Sequence, residues 1–118
     1  MPLQLEVVAV LFAFMALGAF LRPRTFLLPF VGIEAASADA RNEIQAVYGG
    51  FGMAIAAVLL APIWMPEARI GVTLAVAAAL AGMAGGRVVA ALRERPGRWP
   101  VIFFCVEGSG AALLLSAL

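Results

Sequence analysis

Four long apolar stretches, separated by short connections rich in proline and charge, organise this chain. They cover residues 5–21, 44–60, 70–92 and 99–118. Each has roughly the 17–25 residues that a transmembrane helix needs. The alternation of apolar and polar positions that marks a membrane β-barrel is absent. The pattern predicts an all-α membrane protein, a single four-helix transmembrane bundle spanning residues 1–118. Breakers fall between the stretches: Pro23 and Pro29, then Pro62 and Pro66, then Pro96-Gly97 and Pro100. Ser37 and Asp39 are the N-cap and first-turn residues expected of the second helix, which starts before the bilayer does. Residues 25–33 are unusually apolar for a connection and are expected in the membrane interface or as a short re-entrant segment.

Composition supports the bilayer as solvent. Hydrophobic residues make up 64% of the 118 and charged residues 13%, about half of the ~25% usual in soluble domains. Mean hydropathy is +1.05. A soluble domain of this size has no interior large enough for so much apolar surface. The first stretch lacks a basic leader, carries Glu6 and is followed by Arg22-Pro23-Arg24 rather than a small-residue cleavage site. It is expected to remain as a helix.

All 8 basic residues are arginine. Arg22, Arg24, Arg41, Arg87, Arg93, Arg95 and Arg98 fall on one side of the predicted topology, and Arg69 alone on the other. The positive-inside rule then puts both termini outside the cytoplasm, in the periplasm if the membrane is a bacterial inner one. Trp64 and Trp99 fall at opposite interfaces, as aromatic belts require. No basic tract with interleaved aromatics is present, so no nucleic acid partner is expected.

Two ionisable residues break the apolar pattern, Arg87 in the third stretch and Glu107 in the fourth. A charge at the bilayer centre costs at least ~2.5–3.5 kcal/mol on insertion scales, so such groups face a partner, a cavity or water. At 1.5 Å of rise per residue, Arg87 lies ~9 Å in from Arg93, and Glu107 lies ~12 Å in from Trp99. Tyr48 lies ~9 Å in from Asn42 on the second helix. Arg41, Gln45, Tyr48 and Gly52 share one α-helical face, and Glu43 lies near the same end. The expected polar cluster is therefore Arg87 paired with Glu107, Tyr48 as a hydrogen-bonding neighbour, and Arg41, Glu43 and Gln45 at its mouth. Ala78, Gly82, Gly86 and Ala90 recur every four residues as a small-residue stripe. It is expected in helix packing, either within the chain or as a homo-oligomer seam.

Catalytic chemistry is sparsely provided. There is no histidine, which removes the commonest general base and transition-metal ligand. Cys105 is alone in an apolar run, with only Glu107 near it in sequence to activate it. A carboxylate, an arginine and a tyrosine are compatible with acid–base chemistry on a lipid, but no Ser/His, metal or nucleotide signature accompanies them. No catalysis, metal or cofactor is expected.

The run Arg41-Asn42-Glu43-Ile44-Gln45-Ala46-Val47-Tyr48-Gly49-Gly50, with Gly86-Arg87 and Glu107 later, resembles an uncharacterised family of small bacterial four-helix inner-membrane proteins, loosely similar to DoxX-like proteins. The resemblance covers nearly the whole chain. It implies a four-helix membrane fold and treats the cluster residues as a set, but supplies no activity. By analogy with DoxX-like subunits of membrane oxidoreductases, it allows an accessory role. The expected function is binding of a membrane lipid or quinone-like molecule, or of a partner subunit, around Arg87 and Glu107. The alternative is an oligomeric transporter or channel using Glu107. Small multidrug exporters carry their carboxylate in the first helix, which this chain does not, and the polar pore element of small fluoride channels is missing.

Overall fold

Every predicted span is helical, and the breaks between spans fall near Pro23, at Pro62 and Pro66, and at Pro96-Gly97. The computed structural model describes residues 1–118. In chain order it contains α1 (Leu3–Leu21), α2 (Leu28–Val31), α3 (Ala38–Ile44), a π-helical turn (Gln45–Gly50), α4 (Phe51–Leu60), two 3₁₀ turns (Ala61–Ile63 and Pro66–Ala68), α5 (Arg69–Arg93) and α6 (Arg98–Leu115). There are no strands. Four helical segments are long and apolar enough to cross a membrane: Leu3–Leu21, Ala38–Ile63, Pro66–Arg93 and Arg98–Leu115. Large apolar side chains stand exposed at mid-helix, Phe14 at 68% and Leu74 at 54%. Hydrocarbon solvates such surfaces at no cost, whereas water penalises them at about 25 cal/mol per Å².

The chain divides into two compact units, Glu6–Leu60 and a second made of Met1–Leu5 with Ala61–Leu118. In the first, α1 buries Val8, Ala9, Ala16 and Ala19. Gly52 of α4 lies against α1, where a Cβ would meet Met15 Cε at 2.8 Å and Ala16 Cβ at 3.4 Å. The connection after α1 is well organised. Ala35 N–H donates to Arg24 O, and the Arg24 guanidinium donates to Glu34 Oε1 at 2.6 Å. The single turn of α2 begins with Pro29 in its first turn and ends at Gly32, whose φ of 72° is left-handed. Four residues rise only ~6 Å. The segment holds a single helical turn, and its exposed Leu28, Val31 and Ile33 suit an interfacial position.

Ser37 caps α3 as expected, its Oγ accepting from Ala40 N–H at 3.0 Å. The following π turn was not legible in the pattern. Phe51 N–H reaches back five residues to Ala46 O, so the helix carries one residue more per turn there. Gly49 sits beneath the Phe20 ring, where a Cβ would lie 2.8 Å from Cζ. The expected face Arg41–Gln45–Tyr48–Gly52 assumed continuous α-helix. The wide turn rotates Gly52 by roughly one residue's 100° relative to Arg41.

In the second unit, α5 and α6 form an antiparallel hairpin joined by residues 94–97. α5 buries Thr73, Val76, Ala77, Leu80 and Ala84, spaced by three and four. α6 buries Glu107, Gly110, Ala111 and Leu114. Leu80 Cδ1 lies 3.1 Å from the position of a Cβ on Gly110, so glycine is what allows this close approach. Arg69 Nη1 donates to Ala117 O at 2.9 Å and ties the far end of the hairpin. Pro100 lies inside α6 rather than in the connection, within a first turn whose amides have no helical acceptor.

The stripe Ala78, Gly82, Gly86 and Ala90 does not face α6. All four residues are exposed, and a Cβ on Gly82 or Gly86 would meet nothing within 4 Å. The buried face of α5 follows its larger residues instead, because burying Val76 and Leu80 removes more apolar surface than burying glycine. The stripe therefore takes no part in the α5–α6 contact.

Candidate functional site

Residue 87 continues the buried line 73–76–77–80–84 of α5 by three more positions, so helical geometry alone turns its side chain toward α6. On α6, Trp99, Phe103 and Glu107 follow one another at intervals of four and share a face. The two lines meet in a forked ion pair. Arg87 Nε donates to Glu107 Oε1 at 2.6 Å, and Nη2 donates to Oε2 at 2.9 Å. Both carboxylate oxygens thus accept from one planar guanidinium, the strongest geometry open to this pair. Glu107 is 7% exposed, while the Arg87 side chain is 32% exposed. The carboxylate is enclosed and the guanidinium keeps one open flank.

Phe103 supports that guanidinium. Arg87 Cζ lies 5.2 Å from the centroid of its ring. Trp99 stacks on Phe103 at 5.9 Å between centroids, and Arg98 Cζ lies 5.4 Å from the Trp99 ring. A cation over an aromatic face gains about 0.5–2 kcal/mol, more as water is excluded. Sequence reasoning missed Phe103. The signal was available in its spacing of four from both Trp99 and Glu107.

Two depressions flank Arg87. One, of about 270 Å³, is lined by Arg87 and by apolar groups including Val88, Leu92, Pro96, Val101 and Phe104. It is slightly smaller than the ~300–1,000 Å³ of typical small-molecule sites, enough for a ring or the end of a chain. The other, of about 540 Å³, is bounded by Gly86, Arg87, Ala90, Arg93, Glu94 and Arg95. Such an arrangement offers a hydrogen-bond donor and a positive charge beside hydrocarbon-like walls. No group of three histidine, cysteine or acidic side chains is close enough to ligate a metal.

The structure thus brings Arg87 and Glu107 together. Arg41, Glu43, Gln45 and Tyr48 belong to the Glu6–Leu60 unit, where each has its own setting. Arg41 Nη1 donates to the carbonyls of Ala35 and Ala36 at 3.2 and 3.0 Å and so secures the entry to α3. Glu43 is exposed and Gln45 half-buried. The Tyr48 ring lies 5.4 Å from Phe26, beside a small core of Ala19, Ala35 and Ile44.

A sequence model of a family described as a domain of unknown function, DUF4345, matches residues 3–118. No curated protein and no solved structure matches the chain.

Proposed function

The chain belongs to the DUF4345 family, a domain of unknown function, and from that premise we propose that it is a non-catalytic protein of a bacterial inner membrane that binds an amphiphile beside Arg87. The observation that carries this reading is the half-open guanidinium. It is fixed by Glu107 and Phe103, and it borders a pocket with apolar walls. A lipid or quinone-like molecule offers an oxygen acceptor for the guanidinium and hydrocarbon for the pocket. The open small-residue face of α5 offers a site for a second copy or a membrane partner subunit, in keeping with an accessory role.

The test is extraction of hydrophobic molecules from the purified full chain, quantified by mass spectrometry. The double substitution Arg87→Leu with Glu107→Gln removes the charge without stranding its partner. It is expected to lower the retained amphiphile by roughly tenfold, the worth of one hydrogen bond to a charged group. Equal retention by the wild type and this variant defeats the reading.

Orientation is a separate proposal, supported by the seven-to-one arginine asymmetry. Both termini are placed in the periplasm. A reporter that is active only outside the cytoplasm should work when fused after Leu118 and fail when fused in the connection at Pro96. The reverse pattern inverts the topology.

The alternative, an oligomeric transporter or channel, draws on the burial of Glu107 within a span. It requires flux of an ion or amphiphile in proteoliposomes that Glu107→Gln abolishes. Flux unchanged by that substitution removes Glu107 from any transport role.

A further inference from the structure

Arg93 and Arg95, at the α5–α6 turn, make no ion pair or hydrogen bond within the chain, although Glu94 lies between them. The remaining cations nearby are engaged, Arg87 by Glu107 and Arg98 by the Trp99 ring. Residues 93–98 carry three arginines against one glutamate. The two unengaged arginines bound the larger depression, whose other wall runs along Gly86, Val89 and Ala90 toward the middle of the span. The site is therefore cationic at the end of the span and apolar and smooth below it.

We propose that this depression receives an anionic phospholipid, its phosphate between Arg93 and Arg95 and its acyl chain along Gly86, Val89 and Ala90. The inference goes beyond the amphiphile-binding reading above: Arg87 borders both depressions, but the phosphate sits at Arg93 and Arg95 and the chain lies in the larger one. Guanidinium groups bind phosphate oxygens with two parallel hydrogen bonds. Arginines just cytoplasmic of a span are attracted to anionic lipid in the inner leaflet. A neutral quinone leaves both positive charges unanswered, and free phosphate leaves the apolar wall bare. A phospholipid with net negative charge answers both.

The full chain in a nonionic detergent is offered equal amounts of dioleoylphosphatidylglycerol and dioleoylphosphatidylcholine, and retained lipid is read by native mass spectrometry. The wild type should retain the glycerol lipid preferentially. Arg93→Gln with Arg95→Gln should lower that preference by roughly tenfold. Arg22→Gln with Arg24→Gln removes the same charge from the same predicted membrane face and should change the preference by less than about twofold. Far-UV circular dichroism confirms folding, and Arg95→Gln alone, in the connection outside both helices, serves if the double variant fails to fold. Equal losses in the two double variants overturn the proposal, because the effect is then general electrostatics. Displacement of the lipid by excess inorganic phosphate overturns it in favour of a phosphate site. If both lipids are retained equally and lost in Arg87→Leu with Glu107→Gln, the headgroup assignment fails and the amphiphile reading stands. If the wild type retains neither lipid, the headgroup assignment fails, and the amphiphile reading rests on its own extraction test.

Discussion

Arg87→Leu alone should destabilise the α5–α6 hairpin by about 3 kcal/mol, whereas Arg87→Leu combined with Glu107→Gln should cost no more than about half of that. The asymmetry follows from burial. Glu107 is 7% exposed and loses both donors when the guanidinium is removed, leaving a carboxylate in apolar surroundings. The double change leaves a neutral amide beside leucine. The figure for the single change is set at the low end of the 3–5 kcal/mol measured for broken buried pairs, since the Arg87 side chain is about one-third exposed and its interactions are screened accordingly. Denaturant titration in detergent micelles, arranged as a double-mutant cycle, measures the coupling directly. If single and double substitutions prove equally harmless, the pair does not hold the hairpin.

Gly110→Leu should be the most damaging substitution on α6 outside the ion pair, costing about 2–3 kcal/mol as overpacking. A Cβ at this position lies 3.1 Å from Leu80 Cδ1, and Leu80 is itself 7% exposed. The helices must separate or Leu80 must leave its rotamer. Gly110 is one turn from Glu107, so separation also lengthens the Arg87–Glu107 hydrogen bonds and should reduce the retained amphiphile. Combining Gly110→Leu with Leu80→Ala should restore most of the loss, because the new side chain then fills the vacated volume. Gly108→Leu, where a Cβ meets nothing within 4 Å, is the matched control and should be tolerated. Rescue absent from the Gly110–Leu80 combination, or equal damage at Gly108, rules out the packing explanation.

The spans and the ion pair were legible in the sequence because each rests on a large energy. A run of about twenty apolar residues has few destinations, and a lone Arg and Glu within such runs are driven together by the cost of remaining apart. Ser37 was legible for a local reason, since an N-cap needs only its own helix. The orientation of the small-residue stripe was not. Ala78, Gly82, Gly86 and Ala90 suit close helix contact and contact with lipid equally, and only the placement of Val76 and Leu80 decides between them. α1 posed a similar difficulty: apolar side chains surround it, so periodicity does not distinguish the buried Val8 and Ala16 from the exposed Phe14. The polar cluster was legible in part. Arg87 and Glu107 meet, but Phe103 escaped notice because an aromatic residue in a span is ordinarily lipid-facing. The α-helical spacing that linked Arg41 to Gly52 did not allow for a change of pitch.

That change of pitch has a consequence for how the second span tolerates evolution. A wide turn is what remains when a helix absorbs one surplus residue without unravelling. Excising Gly50 would restitch the segment as ordinary helix and leave the faces beyond it in place, because the wide turn already cancels one residue's ~100° of rotation. Gly52 would stay against Met15, and Ala56 and Leu59 would stay buried. Loss of one residue between Ile44 and Phe51 is thus better tolerated than a further insertion, which would turn the rest of the span by about 100° and require a different seam along the first helix.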